Sequence, residues 1–184
     1  MASGSLLILG TSSGAGKSTV VTGLCRWLHR QGISVAPFKA QNMSLNSFVT
    51  TDGGEMGRAQ VVQAQAAGVE PDVLMNPVLL KPGTDTTSQL IVLGQPVGEL
   101  NSGRGWAKKR ELLDLVVDAH RELRRRFDVV ICEGAGSPAE INLRASDIVN
   151  LGFARAANVP ALLVGDVDRG GIFASFIGTL AVLE

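Results

Sequence analysis

The stretch GTSSGAGKST, residues Gly10–Thr19, has the residue types of a phosphate-binding loop. Gly14 and Gly16 permit tight backbone geometry and close approach of an anion. Where such a loop opens a helix, backbone N–H groups point at the anion and the helix dipole favours it. The candidate phosphate-binding residues are therefore Ser13, Gly14, Ala15, Gly16, Lys17, Ser18 and Thr19, with Lys17 on the terminal phosphates and the Ser18 hydroxyl on Mg2+. The spacing departs from the usual pattern, because five residues rather than four separate Gly10 from Gly16. The structural alternative is a glycine-rich strand-to-helix turn with an incidental lysine.

A phosphate site of this kind needs an acidic partner at a neighbouring strand end. VVICEGAGSP supplies Glu133, after an aliphatic run and before a glycine-rich turn, where it would hold Mg2+ directly or through water. Its alternative is a solvent-facing loop acid. FKAQNMSLNS packs Lys39, Gln41, Asn42, Ser44, Asn46 and Ser47 together without an amphipathic period, as suits a loop that recognises a polar ligand. A merely solvated loop fits each asparagine as well. Lys39 would add charge stabilisation at a transferring phosphoryl group. TDGGEMGRAQ brings Asp52 and Glu55 to the expected start of a helix, where each is either a capping acid or a second Mg2+ ligand. SPAEIN (Ser137–Asn142) and DVDRGG (Asp166–Gly171) follow strands and complete a ring of polar loops.

These loops need a scaffold. Leu6–Leu9 is an aliphatic run suited to a strand buried on both faces. From Lys17 to about Gln31, Val20, Val21, Leu24, Trp27 and Leu28 recur at helical spacing, and Gly32 ends the pattern. Ile33–Phe38 is a second apolar run, and Glu55–Ala67 predicts an Ala/Gln-rich helix stopped by Gly68. Ser88–Leu93 and Val97–Leu100 flank the turn GQP as a hairpin or a strand pair on the periphery. Trp106–Arg126 predicts a long helix with Leu112, Leu115, Val116, Ala119 and Leu123 on one face and a solvated RELRRR end. Val129–Cys132 and Ala161–Val164 read as strands, with a helix over Ser146–Ala157 between them. This alternation predicts an α/β fold with an open, mainly parallel sheet and flanking helices.

With 184 residues, 45% of them hydrophobic, the chain has material for one sizeable core and one domain. Seventeen basic and seventeen acidic residues cancel, which argues against a nucleic-acid surface. Cys25 and Cys132 stand apart and read as buried thiols of a reducing compartment. His29 and His120 lack neighbours at metal spacing. No stretch approaches the ~20 apolar residues a membrane helix needs, so a cytoplasmic protein is expected.

The set GTSSGAGKST, FKAQNMSLNS, DGGEMGRAQ, MNPVLLKP, EGAGSPAEINL and DVDRGGIFA resembles the N-terminal synthetase domain of the cobyric acid synthases over essentially all 184 residues. More distantly the chain resembles the dethiobiotin synthetases, whose phosphate loop also has five residues between its glycines. The resemblance implies a dethiobiotin synthetase-like P-loop NTPase fold. It also implies ATP- and glutamine-dependent amidation of corrinoid carboxylates in cobalamin biosynthesis, through acyl phosphates, with ATP and Mg2+. It implies Lys17, Lys39 and Glu133 as catalytic residues and Ser18, Glu133, Glu55 and Asp52 as the metal set, Glu55 ahead of Asp52. On the corrinoid side it implies Gln41, Asn42, Ser44, Asn46, Ser88, Gln89, Ser137, Glu140, Asn142, Asp168 and Arg169. Ammonia would come from a C-terminal glutaminase domain that this chain lacks, so the chain alone is expected not to hydrolyse glutamine. Residues 1–184 would be a synthetase domain cut short on its C-terminal side, and a homo-oligomer stays open. The rivals are the sibling that amidates the a and c carboxylates, whose second-strand loop carries a Gly-Pro-Asp-Tyr pattern, and a partitioning-type nucleotide-switch ATPase. The latter has a lysine where Ser12 stands here.

Overall fold

In the computed structural model, which describes residues 4–83, 87–101 and 106–183, the first aliphatic run forms β1 (Gly4–Gly10). It leads through the glycine-rich loop into α1 (Lys17–Arg30). Val21, Cys25 and Leu28 form the buried stripe of α1, and Trp27, on the flank of that stripe, is exposed. Four buried residues make β2 (Val35–Phe38). Three short strands follow, β3 (Gln41–Met43), β4 (Ser47–Val49) and β5 (Glu55–Gly57), before α2 (Arg58–Ala66). Next come β6 (Val78–Pro82), β7 (Thr87–Val92) and β8 (Gln95–Asn101), then the long α3 (Trp106–Arg126). The chain continues through β9 (Val129–Glu133), α4 (Leu151–Ala157), β10 (Ala161–Val164) and α5 (Ile172–Ala181).

The main sheet is all parallel, in the order β10-β1-β9-β2. Alternation along β1 divides the core: Leu7 and Leu9 face the cluster that holds α3 and α4 residues, and Ile8 faces the cluster under α1. Covering both faces is what a parallel sheet requires. A second, mixed sheet has the order β3-β6-β7-β8, and β4 pairs antiparallel with β5. Along α3, Leu112, Val116, Ala119 and Leu123 are buried; at its basic end Arg121 and Arg125 are exposed and paired to Asp118 and Glu122, whereas Arg124 is half-buried and donates to Ser5 Oγ at 3.2 Å. Among the described residues, no helix is long and apolar enough to cross a membrane.

Four expectations are corrected. The helix expected from Glu55 begins at Arg58, because Glu55, Met56 and Gly57 pair with β4 and the Gly57 N–H donates to Asn76 Oδ1 at 2.9 Å. Neither Asp52 nor Glu55 therefore caps it. The helix expected from Ser146 begins at Leu151. Asp147 takes the N–H groups of Val149, Asn150 and Gly152 at 2.9, 2.7 and 2.9 Å, which ties the preceding chain into a turn. The hairpin turn falls at Leu93-Gly94 rather than at GQP: both residues have positive φ, 45° and 79°, as a two-residue turn of the primed kind demands. Pro96 sits instead on the edge strand β8, where its missing donor is tolerated. Finally, part of the polar loop after β2 is strand, since Gln41–Met43 pair with Val78–Leu80. Glu184 lies outside the described residues.

His120 is buried on α3 between the rings of Phe38 and Phe153, with centroids 5.5 and 5.3 Å away, and Ser5 Oγ lies 2.9 Å from its Nε2. Burial, with help from the Arg124 and Arg121 charges, lowers its pKa to about 4. An unfolded chain, with an ordinary histidine near 6.5, binds this proton more readily than the folded one. Stability is therefore complete above that value and falls as pH drops towards 4. Urea titrations between pH 7 and 4 should show a loss of up to roughly 3 kcal/mol from this group, and His120→Gln should flatten that part of the profile.

Candidate functional site

β1 ends at Gly10 against the C-terminal edge of β10, where the Thr11 N–H donates to the Val164 carbonyl at 3.0 Å. The loop then turns into α1 at Gly16, whose φ of 88° is left-handed and suits glycine. Lys17 is only 4% exposed. Its ammonium donates to the carbonyls of Ser12 at 2.8 Å, Ser13 at 3.3 Å and Gly136 at 2.8 Å. Burial, followed by the charge of Lys39, lowers its pKa. The lysine thus lies over its own loop and bridges to the turn after β9.

Glu133, at the end of β9, is 2% exposed. Its Oε1 accepts from Ser18 Oγ at 2.9 Å and pairs with Lys39 Nζ at 2.7 Å, and its Oε2 accepts from Gln63 Nε2 at 2.5 Å. Lys39 is itself fixed by its backbone: its N–H donates to Met75 O at 2.8 Å and its carbonyl accepts from Asn76 Nδ2 at 3.1 Å. Strand order in the sheet explains the convergence, because β9 lies between β1 and β2 and all three parallel strands end on one edge.

The donor set suits Mg2+. A hydroxyl and a buried carboxylate meet at one point, and a cationic nitrogen already sits against that carboxylate. Among the described residues no three His, Cys, Asp or Glu side chains gather to hold a metal by themselves. A cation here would take its other ligands from phosphate and water, as Mg2+ does in nucleotide sites.

Behind the Gly136 turn lies a cavity of about 530 Å3 lined by Gln41, Met43, Leu80, Leu112, Ser137 and Glu140, among others. Gly136 lines it too, so its wall is shared with the Lys17 contact. Asn150 braces this turn from both sides, accepting from the Ala135 N–H at 3.0 Å and donating to its carbonyl at 2.8 Å.

Of the expected substrate residues, Gln41, Ser137 and Glu140 line this cavity and the others do not. Asn42 donates to Gln60 Oε1 at 2.9 Å, Ser44 Oγ donates to the Asn46 carbonyl at 2.9 Å, Ser88 and Gln89 pair with Pro82 and Lys81 across β6 and β7, and Asn142 is exposed on a 3-10 turn. Asp168 and Arg169 lie on the exposed loop after β10. The Arg169 guanidinium reaches the phosphate loop, where a Cβ added to Gly14 would meet its Nη2 at 3.7 Å, and it pairs with Asp166 at 3.3 Å. Glu55 sits on β5 with Ser47 and Lys81 as partners. Burial raises its pKa, but the hydrogen bonds and charge of those partners outweigh that and hold it below the usual carboxylate range. Asp52 bonds to Thr50 within a surface turn. Gln63 was not anticipated from the sequence; the only signal was a glutamine at a buried-face position of an Ala/Gln-rich helix.

A strand, a glycine-rich loop with a buried lysine, and a helix at the edge of a parallel sheet define a P-loop nucleotide-binding protein. The fold is shared with the signal recognition particle receptor FtsY of Elizabethkingia anophelis (TM-score 0.57, 16% identity, 98% of this chain and 47% of that one). It is likewise shared with chloroplast FtsY of Physcomitrella patens (TM-score 0.51, 21% identity, 98% and 46%). The chain belongs to the CobQ/CobB/MinD/ParA nucleotide binding domain family, whose model matches residues 6–183. It is 66% identical over 184 residues to cobyric acid synthase of Streptomyces avermitilis, covering 99% of this chain and 36% of that protein. To the cobyric acid synthase of Lachnoclostridium phytofermentans it is 58% identical over 180 residues, covering 98% and 35%. The resemblance read from the motifs is thus borne out, and the chain spans about a third of the length of these relatives.

Removing Lys39 would leave Glu133 buried without its countercharge. Lys39→Met should therefore lower unfolding free energy by on the order of 3 kcal/mol. The double change Lys39→Met, Glu133→Gln should recover much of it, and urea midpoints of the three proteins are the check.

Proposed function

We propose that this chain is the ATP-dependent synthetase part of a cobyric acid synthase. In this reading it amidates the b, d, e and g carboxylates of adenosylcobyrinic acid a,c-diamide, in cobalamin biosynthesis. The observation that carries it is the wall shared by two sites: Gly136 lines the cavity while its carbonyl holds Lys17 of the phosphate loop. A carboxylate bound in the cavity would lie beside the terminal phosphate of a nucleotide on the loop. The 66% identity to a cobyric acid synthase supports the choice of substrate.

The chemistry needs positioning and charge stabilisation and no protein nucleophile. A substrate carboxylate oxygen attacks the γ-phosphorus of ATP and ADP leaves; ammonia then attacks the carbonyl carbon of the acyl phosphate, expelling inorganic phosphate and losing a proton to give the carboxamide. Mg2+ would neutralise phosphate charge, held by Ser18 and Glu133. Glu55 is the second metal candidate, and taking that role means releasing Lys81 and Ser47. Lys17 exchanges its carbonyl partners for phosphate oxygens. Lys39, now paired with Glu133, would stabilise charge on the transferred phosphoryl group, and Glu133 and Ser18 would hold the cation. Gln41, Ser137 and Glu140 bind the corrinoid side, and Arg169, lying on the phosphate loop, is reassigned to the nucleotide. The ammonia would come from glutamine at a separate glutaminase domain.

The test uses the full-length enzyme carrying this domain, with Mg-ATP, an ammonium salt and cobyrinic acid a,c-diamide, and mass spectrometry to count amides. Successive conversions, abolished by Lys17→Ala, are expected. Acceptance of cobyrinic acid instead would identify the sibling enzyme, and nucleotide binding without either reaction would identify a nucleotide switch. Arg169→Ala should weaken ATP binding about 10-fold, the loss of one charged hydrogen bond, and leave ADP nearly unchanged in calorimetry.

A further inference from the structure

The carboxylate of Glu133 has two oxygens, and the proposed chemistry uses one. Oε1 faces Ser18 and Lys39, and Oε2 faces the interior, where Gln63 Nε2 donates to it at 2.5 Å. Gln63 is 0% exposed on α2, a helix that otherwise supplies nothing to the site. The orientation of its amide is dictated by chemistry. A carboxylate paired with an ammonium accepts only, so Gln63 must present nitrogen, and its Oε1 is left buried without a hydrogen-bond partner.

Leaving an amide oxygen buried and unbonded is unfavourable, and a leucine or methionine would fill the same space without that cost. Gln60, one turn earlier, equally buried and likewise with one unbonded amide atom, its Nε2, is a matched comparison, so what sets Gln63 apart is its partner, Glu133. The orientation of Gln60 is fixed from the other end: the Met43 N–H donates to Asn42 Oδ1, so Asn42 Nδ2 faces Gln60 and must meet oxygen. That amide therefore faces the strand β3, away from Glu133's hydrogen bonds.

We propose that Gln63 is the positioning residue of the metal carboxylate. It pins Oε2, prevents the carboxylate from rotating, and leaves Oε1 alone to meet a cation beside Ser18. This rests on the reading of Glu133 as a metal ligand. Gln63 touches neither nucleotide nor cation and acts through Glu133.

The experiment measures, in the same full-length enzyme, the Mg2+ concentration that half-maximally tightens binding of the ATP analogue AMP-PNP. Gln63→Met should raise that concentration about 10-fold or more, the usual effect of removing a partner behind a metal ligand. AMP-PNP affinity in EDTA should not change, and Gln60→Met should leave the Mg2+ requirement unaltered. In a Glu133→Gln background, Gln63→Met should add nothing further. An equal shift in EDTA, or an equal shift from Gln60→Met, would mean helix packing and overturn the proposal. Glu133→Gln without effect on the Mg2+ requirement would overturn the metal reading and this inference together. An effect of Glu133→Gln but none of Gln63→Met would overturn this inference alone. Should Gln63→Met not fold, the wild-type enzyme still decides. The Gln63 side-chain amide resonances should be protected from exchange and should move when Mg2+ joins AMP-PNP, and resonances that stay still would overturn the assignment.

Discussion

A carboxylate removed from water must be held by donors or it will not stay charged. At Glu133 that requirement is met by Ser18 on α1, Lys39 beyond β2 and Gln63 on α2. Each donor comes from a different element, so the charge fixes the relative placement of all three. The sheet makes this possible. β9 lies between β1 and β2, with Ile8 opposite Glu133 and Phe38 opposite Cys132. The phosphate loop and the Lys39 segment therefore leave the sheet on either side of the same acid.

The second sheet is tied to this cluster through Asn76. Its amide donates to the carbonyls of Lys39 and Val78 and accepts from the Gly57 N–H, joining the end of β2, the start of β6 and the start of α2. The cavity draws one wall from β3 and β6 and another from the turn after β9. A rigid parallel sheet thus carries the anion site, and a smaller mixed sheet shapes the neighbouring space. Lys39 lies where the chain passes from β2 into β3, and Gly136 lines the cavity while its carbonyl accepts from Lys17.

Much of this was legible in the sequence, for physical reasons. β1, β2 and β9 read as aliphatic runs because both their faces are largely buried, β10 read as one although its residues are exposed or half-buried, and α1 and α3 read as helices because only one face is buried. The phosphate loop was visible because backbone demands restrict its residue types. What stayed hidden depended on partners remote in sequence. β3 to β5 are three residues each, too short to show alternation, and exist through pairing. The start of α2 was displaced by pairing of Glu55–Gly57 with β4, and that of α4 by the Asp147 carboxylate. Arg169 could be named a candidate from its polar, glycine-rich segment, but its nearness to the phosphate loop depends on β10 lying next to β1. Gln63 was silent because a buried amide and a surface amide have the same letter.

The two cysteines carry a practical consequence. Cys25 and Cys132 are both fully buried, and burial pushes the Cys25 thiol up to about 12 and that of Cys132 higher still. Alkylating reagents attack thiolate, so at neutral pH neither residue competes for them. The folded domain is a blank background for chemical labelling. A single cysteine placed on an exposed loop position, such as Ser12 or Asn46, would be the one reactive thiol and would carry a dye or spin label without prior removal of the native pair.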